Sequence, residues 1–123
     1  MQPRIAKCDA SKEFYSAQER CHIVETWRSQ DDSMSIARAR VEPGVTTAWH
    51  ALDGVTERYV IASGSGRMEV GDLPATDVGP DDTVFIPAGV RQRITNTSAV
   101  DLIFYCICTP PFTPECYCAL EKA

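Results

Sequence analysis

At 123 residues the chain is near the commonest domain size and long enough for one real hydrophobic core. Its net charge of -5 argues against nucleic acid as a partner, which favours basic faces, and no apolar run approaches the roughly 20 residues that a membrane span needs. The N-terminal residues 1–7 lack the apolar core of a secretion signal, so a soluble protein of the cytoplasm is expected.

Residues 1–20 read as a polar, irregular arm in which Ser11, Lys12, Glu13 and Phe14 suit a short capped turn. From Cys21 the pattern becomes β. Residues 22–27 read as a strand, and the Ser, Gln and Asp run at 29–33 as the turn after it. Residues 34–42 alternate Ile36, Arg38 and Arg40 against Ala37, Ala39 and Val41, which is the pattern of a half-buried strand. The apolar face is its default interior. An inward arginine face would instead place Arg38 and Arg40 as binding groups for an anionic substrate. An outward one serves a subunit contact or is solvated, and the alternation favours this second case. Nine of the twelve basic residues are Arg, the residue better suited than Lys to ion pairs and bidentate carboxylate contacts.

Pro43-Gly44 breaks that strand, and residues 43–64 form the stretch on which the rest of the chain is organised. Two β segments flank Asp53-Gly54, a strong signal for a two-residue hairpin turn. That register would pair Leu52 with Val55 and His50 with Glu57, with Leu52 and Tyr59 on the same sheet face. An imidazole beside a carboxylate is either an ion pair or two ligands of one cation.

A second tight turn at 63–66 leads to short strands at 67–71 and 75–78. Gly79-Pro80-Asp81-Asp82 and Pro87-Ala88-Gly89 then bracket a strand at 83–86, and another covers 91–96. Residues 102–108 form the longest apolar strand, on which Cys106 and Cys108 share one face. The tail from Pro110 suits one helical turn begun by Pro114. Six cysteines at 8, 21, 106, 108, 116 and 118 are many for this length. Without a secretion signal they read as free thiols that pack as small hydrophobes. Neither Cys-x-Cys pair has the spacing of common zinc sites. Evenly spaced short strands and no long helix make the chain all-β, a barrel or sandwich without linkers or repeats.

Two motifs add a resemblance. Gly44, His50, Glu57 and Gly64 stand at the spacings of the first cupin motif, with Leu52 where a second His belongs. Asp81, Pro87-Ala88-Gly89, Gln92 and Asn96 stand at the spacings of the second, with Asp81 for Gly and Gln92 for His. The chain resembles the cupin superfamily over about residues 35–110. The resemblance implies one domain over residues 1–123, a double-stranded β-helix or jelly-roll barrel with short irregular ends at 1–20 and 110–123.

The resemblance also implies a divalent metal in the barrel, and the ligand positions here hold His50, Glu57 and Gln92. Manganese, iron, nickel and zinc accept imidazole, carboxylate and amide alike, and no organic cofactor is expected. The rival reading is a metal-free site in which these polar groups hydrogen-bond one another. Tyr59 is the expected acid–base group, and Leu52 and Cys108 join Arg38 and Arg40 as the expected substrate-binding set. His22 lies outside both motifs and is not assigned. The expected function is a cupin acting on a small, oxygen-bearing metabolite, anionic if the arginines face inward, as a dioxygenase, isomerase, epimerase, lyase or cyclase. The alternative is a non-catalytic small-molecule binder. A homodimer is expected because residues 102–108 are apolar on both faces.

Overall fold

In the computed structural model, which describes residues 2–121, eleven strands form two facing antiparallel sheets. The strands are β1 (Phe14–Ser16), β2 (Cys21–Arg28), β3 (Ser35–Val41), β4 (His50–Leu52), β5 (Thr56–Ser63), β6 (Gly66–Val70), β7 (Thr76–Val78), β8 (Thr83–Ile86), β9 (Gln92–Asn96), β10 (Leu102–Thr109) and β11 (Tyr117–Ala119). One sheet runs β1-β2-β3-β10-β5-β8 and the other β11-β4-β9-β6-β7. This is the all-β architecture expected of the alternating patterns, in the jelly-roll form that the motif resemblance implies. The main core lies between the sheets and includes Val41, Ile61, Met68, Ile86, Ile94, Leu102 and Phe104.

The expected hairpin across Asp53-Gly54 does not form. Its two arms belong to different sheets, β4 beside β9 and β11, and β5 beside β10 and β8. The backbone groups that a hairpin would pair are taken elsewhere: Gly89 N donates to Leu52 O at 2.9 Å and Asp53 N donates to Cys116 O at 2.7 Å. The turn carries the chain round the barrel's corner instead of folding it back. Gly54 still supplies the left-handed φ of 70° that such a corner needs.

The motif residues that are not ligand candidates are structural. At Gly64 (φ 79°) an added Cβ would stand 2.8 Å from Asp101 O, so this glycine is fixed by close approach as well as by conformation. Asp81, where the motif has Gly, holds a φ of 71°, and Asp is among the few side chains that tolerate this region. Asn96 is buried, donates to Val41 O and Val100 O at 2.8 Å each, and accepts from Ser98 N at 2.8 Å.

The ends are more ordered than their sequence suggests. The arm's helical turn is at Ala10–Lys12, capped by Asp9, and β1 then pairs with β2. In the tail, Pro114 begins the expected turn at Pro114–Cys116, and β11 follows to pair with β4.

Candidate functional site

A cavity of about 280 Å³ opens between the sheets. Its width comes from β3, whose inward residues Ala37 and Ala39 are too small to meet the opposite wall. Pairing of β3 with β10 and of β10 with β5 sets Ala37, Cys106 and Tyr59 in one inward row. The next row holds Ser35, Cys108 and Glu57. From the facing side come Thr47, in the segment before β4, and His50 of β4.

Gln92 is the polar centre of the barrel. It is fully buried, with 0% of its surface exposed. Its Nε2 donates to Glu57 Oε1 at 2.7 Å, and its Oε1 accepts from the hydroxyl of Tyr59 in a short contact. The chain Tyr59–Gln92–Glu57 thus uses both ends of the amide. Glu57 is 6% exposed and has no cationic partner among the described ion pairs. The thiol of Cys108 lies 3.7 Å from its Oε2. Burial pushes the Glu57 pKa up, against the opposing effect of Gln92 and the thiols.

His50 is 5% exposed. Its Nδ1 lies 2.8 Å from Ala48 O, an acceptor, so Nδ1 carries the proton and Nε2 presents a lone pair. Burial lowers its pKa, which keeps the ring neutral. Tyr117 of β11 stacks on it, with ring centroids 4.9 Å apart and planes 16° apart.

The arm contributes a residue that sequence reasoning missed. Glu19 lines the cavity, and burial together with the nearby Glu57 charge raises its pKa to about 7. Its place is held by its own backbone, since Glu19 N donates to Ser16 Oγ at 3.1 Å and Ala48 N donates to Glu19 O at 3.2 Å. No periodicity marks it, because it sits in a four-residue turn between β1 and β2.

The expected site residues divide. His50, Glu57, Tyr59 and Cys108 all line the cavity. Gln92 stands behind Glu57 and Tyr59. Leu52 does not reach the cavity; it packs with Val55, Cys108 and Cys116 in a separate apolar cluster. Arg38 and Arg40 are outside the barrel, because the inward side of β3 belongs to the alanines. Arg40 bonds Glu13 at 2.6 Å and Asp101 at 3.1 Å, and Arg38 lies 3.7 Å from Glu13. They are surface ion pairs rather than anion-binding groups of the cavity. Tyr59 commits its proton to Gln92, and burial pushes its pKa well above the usual phenol value, so it positions Gln92 better than it would exchange protons with a ligand.

This donor set does not fit a metal. The carbonyl of Gln92, its one ligating atom, accepts from Tyr59. That leaves one imidazole and one carboxylate, and among the described residues no three His, Cys, Asp or Glu side chains converge as a metal site would require.

Residues 37–108 match the family described as the cupin domain. An uncharacterized protein of Methanocaldococcus jannaschii, MJ1618, is 33% identical over 81 residues, which are 66% of this chain and 64% of that protein. The chain thus spans about 64% of the curated relative's length. A predicted oxalate decarboxylase of Thermotoga maritima is similar with a TM-score of 0.75 and 19% identity, over 87% of this chain and 99% of that one. Streptomyces Pac13, a nucleoside dehydratase, is similar with a TM-score of 0.75 and 15% identity, over 96% of this chain and 92% of its own. Both likenesses concern the fold.

Proposed function

The chain belongs to the cupin domain family, and from that premise we propose that its barrel is a small-molecule site that handles protons without a metal of its own. The observation that carries this reading is the Tyr59–Gln92–Glu57 chain, which occupies the amide that a metal would need. What the cavity offers instead is a neutral imidazole with an unprotonated Nε2 and a carboxyl, Glu19, that titrates near pH 7. A base and an acid poised around neutrality are what proton abstraction and return require. In this reading His50 Nε2 takes a proton from the bound molecule and Glu19 returns one to it or to a leaving group. Of the reactions expected from the sequence, isomerisation, epimerisation and elimination need no more than these groups.

The cavity's 280 Å³ is at or below the lower end of the ~300–1,000 Å³ of drug-sized sites, which fits a metabolite of modest size. Metal content after gentle purification tests the first half of the proposal: stoichiometric manganese, iron, nickel or zinc overturns it. The second half is tested in deuterated buffer, by following carbon-bound hydrogen exchange in candidate ligands by NMR. Exchange lost in His50→Gln supports the proton-transfer role. Binding without exchange favours the non-catalytic reading, which the committed Tyr59 hydroxyl already supports. Two copies pairing across the outer face of the six-stranded sheet complete the proposal, since Ile103, Tyr105 and Ile107 are only half-buried there. A single-chain mass in sedimentation would count against that pairing.

A further inference from the structure

Glu57 is a deeply buried carboxylate with no counter-charge among the described residues. A buried charge is ordinarily paired or neutralised, and no charged group facing this cavity pairs it. Glu19 and Glu25 add carboxylates to the lining. The one cation of the lining, Arg28, is committed at the mouth: it bonds Glu25 at 3.1 and 3.2 Å and donates to Phe112 O at 2.5 Å. A second, independent observation comes from the opposite wall. His50 is only 5% exposed, lines the cavity, and has its proton on Nδ1, so its Nε2 is an acceptor with no hydrogen-bond partner among the described residues. Acceptors on both walls call for a donor, and carboxyls whose ionisation is opposed by burial are ionised best beside a positive one.

Resting on the proposed small-molecule site, and on its binding alone rather than on proton transfer, we propose that its ligand is a small amine: an ammonium head held between Glu57 and Glu19 and facing His50, on a compact apolar body. The body would lie along Ala37, Ala39 and Phe104, the apolar part of the lining. This reverses the anionic substrate expected from the arginines of β3, which are on the outside. An ammonium supplies N–H donors to the carboxylates and the imidazole together, whereas a ligand carboxylate would meet acceptors only.

The test is calorimetric titration of the full chain at neutral pH, in the presence of EDTA, with benzylamine, benzyl alcohol and benzoate. These share a ring and differ in head-group charge. Benzylamine is expected to bind on the order of tenfold or more tighter than benzyl alcohol, with benzoate weakest, as expected when a charge finds buried partners. Ala37→Leu should abolish benzylamine binding by filling the cavity. Glu19→Gln should lower the amine-to-alcohol ratio by about fivefold or more. Glu25→Gln, at an exposed position that leaves folding intact, should release Arg28 and shift the preference from benzylamine toward benzoate. Equal or tighter binding of benzyl alcohol or benzoate by the parent chain overturns the amine inference and leaves the metal-free cavity standing. Binding that appears only when zinc replaces EDTA overturns both. If none of the three probes binds, or if neither Glu variant alters the preference, the amine assignment is wrong.

Discussion

Glu19 links a side chain's surroundings to a measurable pH dependence. Its pKa is raised to about 7 from the ordinary 4.5, chiefly by burial and then by the charge of Glu57. The unfolded chain therefore sheds this proton first as pH rises. The sign follows: the protein is at its best with respect to Glu19 below pH 4.5, loses stability from there to about 7, and loses no more above. The whole loss is at most about 3 kcal/mol. Glu19→Gln removes it, because an amide of the same shape has no proton to lose. The variant should match the parent in thermal melts near pH 4.5 and melt higher at pH 8. A variant equally stable with the parent at both pH values would mean that Glu19 is solvated rather than buried beside Glu57. The same comparison separates its ionisation from its packing, since Gln keeps the contacts and drops only the charge.

Among the elements, the pairing of β4 with β9 decides which substitution could build a metal site. Sequence spacing puts Leu52 at the position of a second ligand histidine, and a hairpin register would have put it on the cavity wall. In the barrel β4 instead ends at Leu52, whose side chain is packed among Val55, Cys108 and Cys116. Leu52→His should thus cost about 2–4 kcal/mol as a buried polar replacement without partners, and bring no zinc affinity. Gln92 is the better position. It is the direct register partner of His50, so Cβ atoms at 50 and 92 are about 4.5–5.5 Å apart, and its side chain already reaches Glu57. Gln92→His should add a second imidazole to His50 and Glu57 and give measurable zinc binding by calorimetry; a folded Gln92→His variant that ignores zinc would show the walls too far apart to share an ion. The contrast marks what could be read from the chain. Period-two alternation and the glycine and proline turns located nine of the eleven strands, because burial on one side writes itself into the alternation of a strand. It could not assign strands to sheets: Asp53-Gly54 is the same turn chemistry whether the chain folds back or rounds a corner, and only long-range partners such as Gly89 and Cys116 decide. The short β1 and β11, three mostly exposed residues each, are not bracketed on both sides by glycine and proline turns as the equally short β4 and β7 are, and with them went Glu19 and the Tyr117 that covers His50.

At the scale of the whole molecule, the two ends of the chain meet beside the site. Arg20, just before β2, has a left-handed φ of 61°, unusual for a residue with a side chain, and is held there by tertiary partners. Its guanidinium donates to both oxygens of Glu121 at 2.9 and 3.0 Å and to Thr46 O at 2.9 Å. Glu121 accepts in turn from Trp49 N at 2.7 Å, and Leu120 N donates to Trp49 O at 3.0 Å. This clasp draws together the arm that carries Glu19, the residue before His50, and the tail that carries Tyr117. Removing it by Glu121→Ala should therefore act on the cavity without touching it. Amide hydrogen exchange should quicken at Trp49 and along β11 while the β3–β10 ladder stays protected. With Tyr117 less firmly stacked, His50 should be better hydrated, and its pKa by NMR titration should rise toward the ordinary histidine value. The clasp has its own pH window. Arg20 and the Trp49 amide hold the Glu121 pKa down at about 2, against 4.5 when unconstrained, so its contribution is complete above 4.5 and fades as pH falls toward 2. The difference in melting temperature between Glu121→Ala and the parent should accordingly shrink as pH falls from about 5 to about 2. If exchange along β11 and the His50 titration are both unchanged in the variant, the tail is held by the β11–β4 ladder alone, and the ends do not help set the chemistry of the site.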